Sequence, residues 1–272
     1  MALPSESNDY ALGSDEVEQE RLIRQAAWLA PHTERFFRRA GIAVGQHVLD
    51  LGSGVGDVAL IAGHVVGAAG VVVGAERDAR AIARATARMR DLGLKHVRFT
   101  QADVADLPVG QPFDAAVGRY ILMYLRDPVV ALQSVSRLVR PGGVLAFQEM
   151  YWKSFLEACE GLPLWRASAT LMGETFRRTG ANTRMGPELS ATFVAAGLPE
   201  PETLTDTLVG AERWMPDVIQ SLVPQIQALQ LPLASLGDLR TLYQRLMDEA
   251  VARNVPAPLP ALVGAWARKP AP

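Results

Sequence analysis

The sequence predicts a doubly wound α/β fold, in which helices cover both faces of a mostly parallel β-sheet. Three observations support it. From residue 46 onward, short apolar runs alternate with amphipathic segments at helical spacing. The apolar runs are continuous, as expected for strands buried on both faces of a parallel sheet. Longer helical stretches follow the fifth and sixth strands, where ligands bind in such sheets, so we interpret them as lid insertions.

Each element follows from a local pattern. A capping box at Asp15 and Glu18 starts the first helix, Pro31 opens a second short helix, and Gly41 ends it. The predicted strands are 47–51, 70–76, 97–101, 113–117, 144–148, 203–209 and 259–268. The helices after residue 41 are 57–66, 78–93, 129–138, most of 152–186, 187–196, 218–229 and 236–252. We divide the chain into an N-terminal helical cap (1–40), a central unit (41–150) and the remaining strands with their helical insertions (151–272).

Composition excludes several classes of protein. The chain has 272 residues, of which 49% are hydrophobic, enough for a substantial core. Its single cysteine, Cys159, cannot build a disulfide framework or a cysteine zinc site. The net charge of −2 argues against a nucleic-acid partner. The sequence shows neither a signal peptide nor a long apolar span, so we expect a cytoplasmic protein without a membrane partner.

The segment 48–57, VLDLGSGVGD, carries the strongest signal. A buried strand runs into a glycine loop and then into a helix whose free N–H groups favour an anionic ligand. The spacing is G-x-G-x-G, and Asp57 stands where a dinucleotide fingerprint has its third glycine. Glu76 ends the second strand, and its carboxylate can accept hydrogen bonds from ribose hydroxyls. This feature alone fits a dinucleotide as well as another ribose-containing cofactor. Asp103 ends the third strand, where a carboxylate can accept from an adenine amino group.

These features together resemble the successive motifs of class I S-adenosylmethionine (SAM) dependent methyltransferases. The resemblance covers about residues 40–150 and rests on 50–56, Glu76, 103–104, 112–116 and 140–143. Residues 10–26 also resemble the N-terminal helix of a bacterial small-molecule branch. The resemblance implies a seven-stranded Rossmann-like sheet whose last strand is antiparallel, and SAM as cofactor with S-adenosylhomocysteine (SAH) as product.

The resemblance also implies a set of cofactor-binding residues. The glycine loop would approach the methionine part and ribose, Asp50 would meet the ammonium group, and Glu76 would hold the ribose hydroxyls. The full set is Tyr10, Gln25, Asp50, Gly52, Ser53, Gly54, Glu76, Arg77, Asp103, Val104 and Arg119. Position 76 is Glu where many members carry Asp, and its longer reach should preserve the contact.

Methyl transfer needs in-line positioning and exclusion of water, and a base only where the acceptor must lose a proton. We expect a small-molecule acceptor and no metal, because the motifs of base-modifying and magnesium-dependent subclasses are missing. Candidate catalytic residues follow the fourth and fifth strands or the first helix: Glu149, Tyr120, Tyr124 and His32. Each also has a structural interpretation, either core packing or a buried hydrogen bond. Apolar residues of the insertions suit an apolar acceptor pocket or a helical core: Trp165, Met172, Phe176, Trp214 and Met215.

The preferred function is O-methylation of a small organic molecule in natural-product metabolism, with N- or C-methylation open. Two alternatives keep parts of the pattern. A SAM-binding protein without methyl transfer retains every cofactor motif, and an NAD(P)-dependent oxidoreductase shares the sheet and Glu76. Apolar residues of the insertions could also face a second subunit, so a homodimer is a further expectation.

Overall fold

A computed structural model of the chain describes residues 16–103, 107 and 111–271. Within these ranges, seven strands form one sheet in the order β3-β2-β1-β4-β5-β7-β6. The strands are β1 (His47–Leu51), β2 (Val71–Glu76), β3 (Val97–Gln101), β4 (Phe113–Arg119), β5 (Val139–Tyr151), β6 (Glu202–Asp206) and β7 (Ala261–Arg268). Strand β7 runs antiparallel to both of its neighbours, β5 and β6. The other five strands, β3, β2, β1, β4 and β5, pair in parallel in that order. The predicted fold class is therefore confirmed.

Nine α-helices surround the sheet in the described ranges. They are α1 (Glu16–Ala40), α2 (Asp57–Val66), α3 (Ala79–Asp91), α4 (Pro128–Leu138), α5 (Trp152–Ala158), α6 (Pro163–Arg178), α7 (Met185–Ala195), α8 (Trp214–Ala228) and α9 (Leu242–Ala252). No helix in the described part of the chain is long and apolar enough to cross a membrane.

The strands place alternate side chains in two separate cores. Val48 of β1 joins Phe36 of α1 and Val65 of α2 on one face, whereas Leu49 joins the core formed with α4 and α7 on the other. Asp50 pairs in register with Val117 and so points to the α1 and α2 side. The sheet thus determines which side chains at its carboxyl edge lie beneath the N-terminal helix.

Two expectations about element bounds are wrong. Pro31 does not open a separate helix, because α1 continues through it. Leu29 and Phe36 are fully buried on either side of Pro31, so packing outweighs the single hydrogen bond that proline cannot donate. Strand β5 also extends to Tyr151, so Glu149 lies inside the strand rather than at its end. Residues 140–143 form an irregularity within β5, because Phe113 pairs with Val139 but Ala115 pairs with Val144.

The helices that follow β5 and β6 form one packed layer. Glu249 of α9 accepts hydrogen bonds from the backbone N–H groups of Leu164 and Trp165 at the start of α6, both at 3.0 Å. The indole of Trp165 donates to the carbonyl of Leu246 at 2.9 Å. This layer lies over the carboxyl edge of the sheet and supplies one wall of the cavity described next.

Candidate active site

A cavity of about 1140 Å³ opens at the carboxyl ends of β1, β2 and β4. The strand order reverses between β1 and β4, the position where doubly wound sheets bind their ligands. Helix α1 contributes Leu22 and Gln25 to its wall, and α8 contributes Trp214 and Val218. The predicted cap and lid insertions therefore both face this cavity.

The glycine loop forms the floor of one half of the cavity. Gly52 and Gly54 have φ angles of 62° and 51°, in the left-handed region that favours glycine. A Cβ atom at Gly52 would lie 2.4 Å from the side chain of Ile121, whereas one at Gly54 would meet nothing within 4 Å. The loop is thus packed on its inner side and leaves open space above Gly54, as a cradle for a ligand requires.

Glu76 closes this loop from the neighbouring strand. Its carboxylate accepts hydrogen bonds from the backbone N–H groups of Gly54 at 2.9 Å, Arg77 at 2.8 Å and Asp78 at 3.0 Å. Glu76, Arg77 and Asp103 all line the cavity. The structure therefore brings these three predicted residues together, while Tyr10 and Val104 lie outside the described residues.

A buried polar group lies beneath the loop. Asp50 is 1% exposed, and its carboxylate oxygens have no side-chain hydrogen-bond partner in the described part of the chain, whereas the backbone N–H of Ala59 favours their ionised form. Burial raises the pKa of Asp50 well above its ordinary value, although the Arg119 guanidinium opposes that shift. Arg119 lines the cavity and donates to the hydroxyl of Thr33 at 2.7 Å. The buried hydroxyl of Ser53 also has no partner among the described residues.

These groups fit the methionine end of SAM. A buried carboxylate without a side-chain partner and a half-buried guanidinium lie on the same face of the sheet, and the cofactor presents an ammonium and a carboxylate to be matched. Open space above Gly54 permits close approach to the backbone. The carboxylate of Asp50, the hydroxyl of Ser53 and the guanidinium of Arg119 are therefore together suited to bind an amino-acid moiety.

The remainder of the cavity is lined mainly by apolar side chains, together with polar ones such as Arg126, Asp127 and Thr179. Its wall includes Ile121, Leu125, Met150, Phe176, Ala181, Trp214 and Val218, together with the rings of Tyr120 and Tyr124. Of the five residues that we expected in an acceptor pocket, Phe176 and Trp214 line the cavity. Trp165, Met172 and Met215 are fully buried in the core instead. Helical periodicity alone could not separate these two environments.

Gln25 joins the N-terminal helix to α8. Its side-chain oxygen accepts hydrogen bonds from the Trp214 indole at 2.9 Å and from Arg21 at 2.7 Å. Arg21 also forms a bidentate pair with Glu18, and both side chains are buried in the cavity wall. Sequence analysis missed this network, although the i, i+3, i+7 spacing of the three polar residues on one helix is a signal that could have revealed it.

Glu149 is located behind the cavity wall and is not part of its lining. It is fully buried, and its Oε1 accepts hydrogen bonds from the backbone N–H groups of Ile121 at 3.0 Å and Leu122 at 2.7 Å. Burial raises the pKa of Glu149 to about 8, although the backbone N–H groups of Leu122, Ile121 and Met123 oppose that shift. The neighbouring Tyr120 has a φ angle of 56°, unusual for a residue other than glycine, and its N–H donates to the carbonyl of Gln148. The carboxylate therefore holds the turn that presents Tyr120 to the cavity.

His32 is likewise absent from the cavity lining. Its ring lies 3.4 Å from a carboxylate oxygen of Asp206, the last residue of β6, which also pairs with Arg35. The structure does not bring it to the other candidate catalytic residues. The described residues contain no cluster of His, Cys, Asp and Glu that could hold a metal ion.

Comparisons with known proteins agree with this geometry. A family model described as a methyltransferase domain matches residues 42–189. The ubiquinone/menaquinone biosynthesis C-methyltransferase of Pseudomonas savastanoi pv. phaseolicola is 31% identical over 171 residues, which cover 58% of this chain and 67% of that protein.

Solved structures agree on the fold. The YcgJ protein of Bacillus subtilis matches with a TM-score of 0.58 at 16% identity, covering 89% of this chain and 99% of its own. Geranyl diphosphate C-methyltransferase of Streptomyces coelicolor, solved with Mg²⁺, geranyl diphosphate and SAH, matches with a TM-score of 0.56 at 17% identity, covering 95% and 87%. At these identities the two structures support the architecture alone.

Proposed function

Because this chain belongs to the class I SAM-dependent methyltransferases, we propose that it methylates a small, neutral acceptor bound beneath α6 and α8. One observation carries the proposal. The cavity has a polar half beside the glycine loop and an apolar, partly aromatic half beneath the lid. Such a division separates a charged cofactor from an apolar acceptor in one water-restricted space.

The polar half supplies the proposed cofactor contacts. We propose that Arg119 pairs with the carboxylate of the methionine moiety and Asp50 with its ammonium group. Glu76 would exchange its bond with the Gly54 N–H for the ribose hydroxyls, and Asp103 would accept from the adenine amino group. When bound, SAM supplies an electrophilic methyl group on a sulfonium. The chain's own contribution is to orient that end and exclude water around it.

The apolar half determines the proposed class of acceptor. Among its described lining residues, Tyr120, Phe176 and Trp214 provide ring surfaces suited to an aromatic or otherwise planar molecule. The rings of Tyr120 and Tyr124 would lie near the reacting atoms, where an aromatic face stabilises a cation. An acceptor from natural-product metabolism and a cytoplasmic location remain our predictions.

We propose a hydroxyl oxygen of the acceptor as the methylated atom. A carbon atom is the second candidate, because both named enzymes above are C-methyltransferases. In either reaction the acceptor releases one proton overall. Glu149 is separated from the cavity by the turn that it holds, so we propose that it positions Tyr120 and that the proton leaves to solvent or a polar group of the acceptor.

Parallel calorimetric titrations test the cofactor half of the proposal. We expect binding of SAM and SAH and no binding of NAD(H). Binding of NAD(H) alone would reject the proposal in favour of hydride chemistry.

Acceptor screening then uses SAM with a trideuterated methyl group, and NMR of the product identifies the methylated atom. Release of SAH only when an acceptor is present supports methyl transfer. SAM binding without SAH release across apolar phenols, amines and ring carbons would indicate a binding protein. Light scattering at several protein concentrations tests the homodimer.

A further inference from the structure

Gln225 carries an unmatched polar atom in the lid wall of the cavity. Its side-chain oxygen Oε1 is buried and accepts no hydrogen bond from the described part of the chain. Three residues of α8 line the cavity, namely Trp214, Val218 and Gln225, spaced four and seven residues apart on one face of the helix. Val218 is apolar, and the Trp214 indole is already bonded to Gln25. Of the three α8 residues that line the cavity, Gln225 therefore carries the polar group without a hydrogen-bond partner among the described residues.

A buried amide oxygen without a partner is unfavourable, and native proteins seldom keep one without a reason. The cofactor does not account for it. The unmatched atoms of Asp50 and Ser53 lie at the carboxyl end of β1 and in the loop that follows. Gln225 lies eleven residues along α8 from Trp214, which corresponds to about 16 Å of helix. Because Gln225 belongs to α8 and not to the loop that follows β1, we assign it to the acceptor's half of the cavity.

Among the other lining residues, α6 and the loop that follows it contribute the apolar surface of Phe176 and Ala181 and one hydroxyl group, that of Thr179. The Thr179 hydroxyl donates to the carbonyls of Thr175 and Phe176, both at 3.0 Å, while its oxygen can still accept a hydrogen bond. Thr179 belongs to the α6 side of the cavity, so it does not replace Gln225 on the α8 face. A donor arriving in this part of the cavity meets Gln225 as the buried acceptor still available on the α8 face.

We propose that Gln225 is a specificity-determining residue that accepts a hydrogen bond from a hydroxyl or amine at the far end of the acceptor. The acceptor is then elongated and neutral, with an apolar middle between the atom to be methylated and a distal hydrogen-bond donor. This inference rests on the proposed function, since it requires the acceptor to lie beneath α6 and α8.

A matched pair of probes tests it. Protein saturated with SAH is titrated calorimetrically with 4-phenylphenol and with biphenyl-4,4′-diol, which differ by one distal hydroxyl. We expect wild-type protein to bind the diol at least about tenfold more tightly than the monool. Gln225→Met keeps the side-chain volume but removes the acceptor, and should reduce the preference to within about twofold. Gln227→Met, an exposed position on the same helix, should preserve it.

Several results would overturn the inference. These are equal affinities of the two probes for wild-type protein, an unchanged preference in Gln225→Met, or no binding of either probe to the SAH-loaded protein. The melting temperature of Gln225→Met should not fall, because its amide loses no partner, and a pronounced fall would show that Gln225 is structural. The SAH titration of each protein separates this outcome from failure of the proposed function, which would appear as loss of SAH binding in the wild type.

Discussion

The two walls of the cavity are held by different forces. The cofactor wall consists of backbone N–H groups, two glycines and carboxylates at strand ends, so its shape depends on hydrogen bonds within the sheet edge. The lid wall consists of aromatic and aliphatic side chains from α6 and α8, packed on a core that includes Trp165 and Phe155. A substitution on one wall should therefore change the binding affinity of one ligand and leave that of the other unchanged. The turn held by Glu149 and the hydrogen bond between Gln25 and Trp214 lie where the walls meet. A substitution there should affect both ligands.

The largest effect is expected at the turn between the walls. Replacing Glu149 with Leu leaves the N–H groups of Ile121 and Leu122 buried without an acceptor, which should destabilise the protein by about 2–6 kcal/mol, at about 1–3 kcal/mol per group. Glu149→Gln retains an oxygen at that place and should retain most of the stability and turnover. Urea unfolding and steady-state kinetics measure the two quantities.

Glu149→Gln is also the decisive control for the role of this residue. A positioning carboxylate is replaceable by an amide, whereas a proton acceptor is not. A variant that is as stable as wild type and binds SAH normally, yet has lost turnover, would show that Glu149 is the base.

Within the cofactor wall, Glu76→Ala should weaken SAM binding by about 1–3 kcal/mol, the scale for losing a charge-assisted partner. Affinity for 4-phenylphenol in the presence of saturating SAH should not change, because the lid wall is untouched. Calorimetry gives both values, and Asp91→Ala, an exposed carboxylate on α3, is the control. Equal loss for both ligands would contradict the separation of the two walls.

The pH dependence of stability provides a more specific signal. The pKa of Glu149 is about 8 in the folded protein, against 4.5 for an unperturbed glutamate. Between about pH 5 and pH 8 the unfolded chain has released this proton while the folded protein retains it. Stability attributable to Glu149 is therefore present at the acid end and declines as pH rises, by at most about 1.4 kcal/mol per pH unit.

Comparison with Glu149→Gln isolates this contribution, since Asp50 and Asp57 are common to both proteins. The wild type should lose stability relative to the variant from about pH 5 to pH 8, as measured by urea midpoints. Parallel curves for the two proteins would show that the pKa of Glu149 is not raised.

The two walls also differ in how far the sequence predicts them. The glycine loop, Glu76 and Asp103 are predictable because a left-handed backbone turn and strand-end carboxylates leave local signatures. The role of Glu149 is not predictable in this way. Its partners Ile121 and Leu122 are 28 and 27 residues away in the sequence, and the pairing of β4 with β5 brings them to it. Met172 and Phe176 lie one helical turn apart on α6 and both pack in the core, yet of the two only Phe176 also lines the cavity. The position of α8 decides between them, and no periodicity within α6 encodes it.

The smallest effect is expected at the bond between the walls. Trp214→Phe keeps an aromatic ring in the lid but removes the indole N–H that donates to Gln25, so stability should fall by about 0.5–1.5 kcal/mol, the typical contribution of one hydrogen bond. Because Gln25 also accepts from Arg21, its oxygen keeps a partner and the loss should stay at the low end of that range. Affinity for 4-phenylphenol should fall alongside stability, while SAH affinity should change less, since Trp214 belongs to the lid wall. A larger loss for SAH than for the phenol would place Gln25 in direct contact with the cofactor, and the bond would then couple the two ligands rather than divide them.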